Sequence, residues 1–97
     1  MINITKRGWQ HILKHHTGSQ PPKRAKKSTF NDTENLVQLL NEAAMHPPSG
    51  GGKNKLVRTF DAGHEVGIDY RTDKATSIVT VITRANGDLI TMFPGRR

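Results

Sequence analysis

His11, His15 and His16, three of the five histidines, fall within six residues of one another and close to the only tryptophan, Trp9. Imidazole titrates near neutrality, so two of them can take a proton and return one within a single reaction. At helical spacing Trp9, Ile12 and Leu13 form an apolar stripe, while His11, Lys14 and His15 turn to another side. His16 continues the stripe from Trp9 and is expected to be partly buried. A shared metal is the competing use for His11 and His15 at i, i+4. No Glu follows His11 as in a zinc-protease helix, and Lys14 between the two disfavours a bound cation. The expectation is acid/base chemistry with no metal and no cofactor.

The partner such chemistry would act on is suggested by charge. The chain has 97 residues, 15 Lys and Arg against 8 Asp and Glu, and a net charge of +7. A polyanion such as RNA is the expected ligand. Cleaving RNA without a metal takes a base for the 2′-hydroxyl, an acid for the leaving oxygen and donors for the charged phosphorane. His11 and His15 are the candidate acid/base pair, Arg58 or Arg71 the charge stabiliser, and Thr91 or Thr80 the hydroxyl donor. Lys14, His16, Arg71, Arg84 and the basic residues Lys23, Arg24, Lys26 and Lys27 are candidate substrate contacts. That last group lies in a tract from Thr17 to Ser28 without apolar periodicity, which reads as a phosphate-contacting arm or as a solvated linker.

The elements that must position these groups divide the chain into a helical part, 1–48, and a sheet part, 53–97, of one domain. A second helix is predicted from Asn31 or Asp32 to about His46, because Asn31 and Glu34 have capping-box spacing and Pro47-Pro48 follow. Leu36, Leu39, Leu40, Ala43 and Ala44 give it one apolar face. Ser49-Gly50-Gly51-Gly52-Lys53 lacks the spacing of a phosphate loop and reads as a linker. Strands are predicted at Lys55–Phe60, Glu65–Arg71, Thr76–Thr83 and Leu89–Phe93, with Asn86-Gly87 as a hairpin signal. Cysteine is absent, which excludes disulfides and zinc-thiolate sites. No stretch approaches the ~20 apolar residues of a membrane span, and no signal-peptide pattern opens the chain.

Short connections imply an antiparallel meander, and two-residue turns would set its register. An Asn86-Gly87 turn pairs Thr83 with Ile90, Ile82 with Thr91 and Val81 with Met92. An Asp73-Lys74 turn pairs Asp69 with Ile78, Ile68 with Val79 and Gly67 with Thr80. Val66, Ile68, Tyr70, Val79, Val81, Ile90 and Met92 then form the core face. Glu65, Gly67, Asp69, Arg71, Thr80, Ile82, Arg84, Leu89, Thr91 and Phe93 form the other face, joined by Arg58. That face is the expected reaction surface, although Thr and Arg also serve any solvated sheet face.

Two stretches resemble a known family. His11-Ile12-Leu13-Lys14-His15 and the ending from Val81 to Gly95, with Thr91 shortly before Phe93-Pro94, are similar to the early helix and terminal hairpin of toxin nucleases of the barnase/EndoU/colicin/RelE superfamily. The closest likeness is to carboxy-terminal toxin domains of contact-dependent growth inhibition systems. The resemblance implies an α+β fold, amino-terminal helices packed on a twisted four-stranded antiparallel sheet, and a metal-independent ribonuclease, commonly against tRNA. It also implies export within a larger effector, action in the cytoplasm of a target bacterium, neutralisation by a cognate immunity protein and, in certain relatives, a translation elongation factor as partner. The helix histidine corresponds to His11 or His15 and the last-strand hydroxyl to Thr91. Two alternatives are a chromosomal or phage toxin of this fold cutting mRNA, and a noncatalytic nucleic-acid binder. The binder reading is weakened by the few aromatics, Phe93 and Phe60, available for stacking.

Overall fold

The computed structural model describes residues 2–15, 29–31, 34–69 and 71–96, with Lys14, His15 and Thr29 described by their backbone alone. His16, the basic tract holding Lys23, Arg24, Lys26 and Lys27, and Tyr70 lie outside the described residues. The first helix, α1 (Lys6–His15), begins at Thr5. The Thr5 hydroxyl accepts the Gly8 N–H at 3.1 Å, which satisfies one of the orphan donors at a helix start. The same hydroxyl donates to the Leu89 carbonyl at 3.0 Å, so the cap also ties the helix to the last strand. Of the predicted apolar stripe only Ile12 is fully buried; Trp9 is half-buried and Leu13 is exposed. The helix is turned so that Gly8 and Ile12, one turn apart, face the protein.

A two-residue strand, β1 (Thr29–Phe30), follows within the part expected to be helical. The second helix, α2 (Leu36–Ala43), is shorter at both ends than predicted. Its cap is Asn35, whose side chain accepts the Gln38 N–H at 3.1 Å. Asn31 instead extends the strand pairing, donating its N–H to Val66 and its side-chain amide to Glu65. Glu34 is drawn away to His64.

Five more strands complete the fold: β2 (Lys55–Asp61), β3 (Gly67–Asp69), β4 (Lys74–Thr76), β5 (Ile78–Arg84) and β6 (Leu89–Pro94). The result is an α+β domain, but not one four-stranded meander. β2 pairs directly with β5 over seven residues, from Lys55 opposite Arg84 to Asp61 opposite Ile78, and β6 lies on the other side of β5. The β3–β4 hairpin is an excursion from the tip of that long pair, and β1 adds to its edge. The predicted third strand is divided at Ser77. The physical reason is the Asp69–Lys74 turn, which holds four residues rather than two. Asp69 accepts the Arg71 N–H on its side chain and the Thr72 and Asp73 N–H groups on its carbonyl, and Asp73 takes a left-handed φ of 57°. Pairings of β3 with β5, and of Arg58 with Gly67, do not form.

At the Asn86-Gly87 end two irregularities cancel. The loop spans Ala85, Asn86 and Gly87, with Gly87 alone at positive φ, so Thr83 meets Leu89 rather than Ile90. A bulge then restores the expected register, pairing Ile82 with Thr91 and Val81 with Met92. Leu89 therefore enters the core, contrary to expectation, and Ile90 becomes the extra residue of the bulge. Of the predicted core face, Val66, Val79, Val81 and Met92 are buried, while Ile68 is exposed and Ile90 only half-buried. They join Ile12, Phe30, Leu39, Leu40, Ala43, Phe60 and Leu89 in one cluster. None of the described helices is long and apolar enough to cross a membrane.

α1 packs on the β5–β6 hairpin, chiefly along β6. A Cβ on Gly8 would collide with the Leu89 carbonyl, so the helix approaches as closely as a glycine permits. Gly8→Ala gains roughly 1 kcal/mol of helix propensity. The obstacle is backbone, however, and overpacking of this kind costs about 1–3 kcal/mol. A lower urea midpoint for Gly8→Ala is expected; an unchanged or higher one would show that α1 can step back from β6 at no cost.

Candidate functional site

Beside the contact of the amino-terminal half of α1 with the start of β6 lies a cleft of about 360 Å³ lined by Thr5, Arg7, His11, Arg84, Asp88 and Ile90, among others. Each residue is there for a local reason. Arg7 and His11 stand one turn apart on the side of α1 next to the buried Gly8–Ile12 line. Arg84 ends β5 where the chain turns, and Ile90 is displaced to the cleft by the bulge. Asp88 is fixed by amide donors, Asn3 at 3.1 Å and Asn86 at 3.4 Å, and the extended residue Asn3 bridges to it as a parallel partner. His11 is half-buried and Arg84 exposed. The cleft thus joins one imidazole, two guanidinium groups and one carboxylate, a set that can bind an oxyanion and exchange a proton beside it.

His15 ends α1 one turn beyond His11. The other predicted centre is divided by the sheet. Paired residues share a face, so Arg58 lies with Val81 and Met92 on the face covered by the helices, and Thr91 lies with Ile82 and Val57 on the other. The joint role expected of Arg58 and Thr91 on one reaction surface does not survive this register. Arg58 donates from Nε to the His46 carbonyl at 3.0 Å and approaches the buried Thr83 hydroxyl at 3.5 Å, tying the chain beyond α2 to the sheet. His46 stacks its ring on Phe60, with centroids 5.0 Å apart.

Thr80 has no exposed surface; its hydroxyl donates to the Gly95 carbonyl at 2.7 Å and lies 3.3 Å from the Thr59 hydroxyl. That placement gives it the task of holding the end of the chain. Thr91 is different, because its hydroxyl oxygen is inaccessible to solvent and has no hydrogen-bond partner among the described residues. Thr80, Ile82, Arg84, Thr91 and Phe93 do share one face, as predicted, whereas Leu89 has left it. Arg71 lies away from both, on the β3–β4 turn, with its Nε 3.9 Å from Asp69. The sequence reading missed Arg7 and Asp88. The signal for Arg7 was its i, i+4 spacing from His11; nothing local marked Asp88. Among the described residues no three His, Asp or Glu side chains gather as a metal site would require.

His64 lies between β2 and β3, outside the cleft around His11. Its Nε2 lies 3.0 Å from Glu34 Oε1 and 3.1 Å from Oε2, and this hydrogen bond with its accompanying charge attraction raises the imidazole pKa above the usual 6.5. Asp61 is shifted down instead, first by the Gly63 N–H and then by Ser77, with Arg96 adding a smaller attraction. Compared with known proteins, the chain matches no family model, no curated protein and no solved structure.

The His64–Glu34 pair bridges α2 to the segment before β3 and gives a pH-dependent expectation. A raised native pKa means stabilisation that is complete below the unfolded value of 6.5 and lost as pH climbs through the native value. Urea unfolding at a series of pH values should show stability declining above 6.5, and Glu34→Gln should flatten that decline. Equal slopes for the two proteins would remove the pair as its source.

Proposed function

We propose that this domain is a metal-independent endoribonuclease whose reaction centre is the cleft between α1 and the β5–β6 hairpin. The observation that carries the reading is that His11 shares this cleft with Arg7 and Arg84. His11 takes the proton of a ribose 2′-hydroxyl; the freed oxygen attacks the adjacent phosphorus, a cyclic phosphate forms, and the 5′-oxygen leaves with a proton. Arg7 and Arg84 hold the non-bridging oxygens as negative charge grows on them. His15, one turn along α1, is the second imidazole and returns the proton to the leaving oxygen. Thr91 stands outside this centre, its hydroxyl shut off from solvent on the sheet face turned away from α1. Arg58 and Thr80 stand outside this centre, the first as a tie between α2 and the sheet and the second as an anchor for Gly95.

The resemblance of the two end motifs to toxin nucleases extends the reading. It supports tRNA as substrate, action in the cytoplasm of a target bacterium after export within a larger effector, and an immunity protein as inhibitor. The charge of +7 favours an acidic surface on that inhibitor. A noncatalytic RNA binder is the second reading, favoured by the separation of Arg58 from Thr91 across the sheet.

Purified protein incubated with total bacterial RNA in EDTA, with and without cell extract, separates the two. Discrete fragments are expected from the wild type. His11→Ala should slow their release by about 10²–10⁴-fold, and Arg84→Ala by about 10²–10³-fold. RNA that is bound but stays intact in both conditions would sink the nuclease reading and leave the binder.

A further inference from the structure

We infer that a groove where the β3–β4 hairpin meets the end of β6 holds the phosphodiester backbone of an RNA strand, separately from the His11 cleft. The inference rests on RNA as the ligand proposed above and not on its cleavage. The groove measures about 650 Å³ and is lined by Arg71, Thr72, Lys74, Thr76, Asp69 and Arg96, with Ile78 and Gly95 at its base. That volume lies within the ~300–1,000 Å³ typical of sites that enclose a ligand the size of a nucleotide. None of its lining residues belongs to the cleft around His11.

Three cations, Arg71, Lys74 and Arg96, face one carboxylate, Asp69, which leaves a net charge of +2. The carboxylate is the recessed partner. Asp69 is 13 % exposed against 44 % for Arg71, accepts the Arg71 N–H at 2.9 Å, and abuts Gly95, where any Cβ would strike it. The cations therefore dominate the open side. They come from three stretches of chain, the turn, β4 and the tail beyond β6, and two threonine hydroxyls lie among them. A groove walled this way suits a run of phosphates better than one small anion. The tail next to Arg96 is fixed at Gly95, whose N–H donates to the Ile78 carbonyl at 2.7 Å and whose carbonyl accepts from Thr80.

The test is fluorescence anisotropy of a labelled, fully 2′-O-methylated RNA oligonucleotide, which lacks the attacking hydroxyl, titrated over a salt series. Arg71→Ala/Lys74→Ala should bind about ten-fold more weakly and show a salt slope shallower by roughly 1.4, the value for two lost single-strand phosphate contacts. Arg96→Ala should move both quantities the same way by about half as much in slope. The exchange Arg71→Lys/Lys74→Arg keeps the charge and should retain binding. Wild-type affinity and slope in the alanine variants would overturn the proposal, as would loss of binding in the exchange variant with an unchanged melting temperature. Inorganic phosphate that displaces the RNA beyond a chloride control of equal ionic strength, in wild type but not in the double variant, would identify a small-anion site and also overturn it. Because the methylated oligonucleotide cannot be cut, binding is read without cleavage, and failure of the cleavage reading leaves this result independent.

Discussion

The contact on which the rest depends is the close approach of α1 to β6 at Gly8. With no side chain at that position the helix backbone rests on the Leu89 carbonyl, and Thr5 both caps the helix and donates to that carbonyl. Three consequences follow from this one seat. Ile12, a turn further on, reaches the core completely. His11, on the flank of the buried line, is brought to the cleft beside Arg84. The extended start of the chain is drawn alongside β6, where Asn3 exchanges backbone hydrogen bonds with Gly87 and Leu89. The bulge at Ile90 belongs to the same arrangement, because it turns Leu89 inward beneath the helix and leaves Ile90 at the cleft.

Charge is distributed by a related economy of groups. Asp61, Asp69 and Asp88 are each tied to a nearby N–H or amide, and Glu34 is tied to His64. A neutral donor leaves the carboxylate charge in place, but with a net charge of +7 the cations outnumber these anions. The basic residues at the cleft, Arg7 and Arg84, and at the groove, Arg71, Lys74 and Arg96, therefore set the electrostatic character of two separate surfaces. Asp61 illustrates the balance, since its pKa falls mainly through the Gly63 N–H and only lastly through Arg96.

The long pairing of β2 with β5 explains why the expected reaction surface is divided. A seven-residue ladder satisfies more backbone groups than the three-residue ladder that β3 makes with β4. Once β2 takes β5 as its neighbour, the alternation of the pleat places Arg58 beside Val81, under the helices, and Thr91 on the opposite side. Arg58 then meets carbonyl and hydroxyl acceptors within the protein, which suits a cation on a partly covered face.

Local chemistry in the amino-acid sequence determined a great deal: an amphipathic helix carrying His11 and His15, a second helix stopped before Pro47-Pro48, strand-forming runs from Lys55 onward, and the pairing of Val81 with Met92 and Ile82 with Thr91. Each of these depends on residues a few positions apart, where spacing and turn chemistry decide. Strand partnership is not of that kind. That β2 skips the hairpin to reach β5, that Leu89 rather than Ile90 is buried, and that Arg7 and Asp88 join His11 were decided only by tertiary structure. Those outcomes turn on competition between ladders far apart in the chain, and on a helix seated against one carbonyl, and neither leaves a periodic trace in the residues themselves.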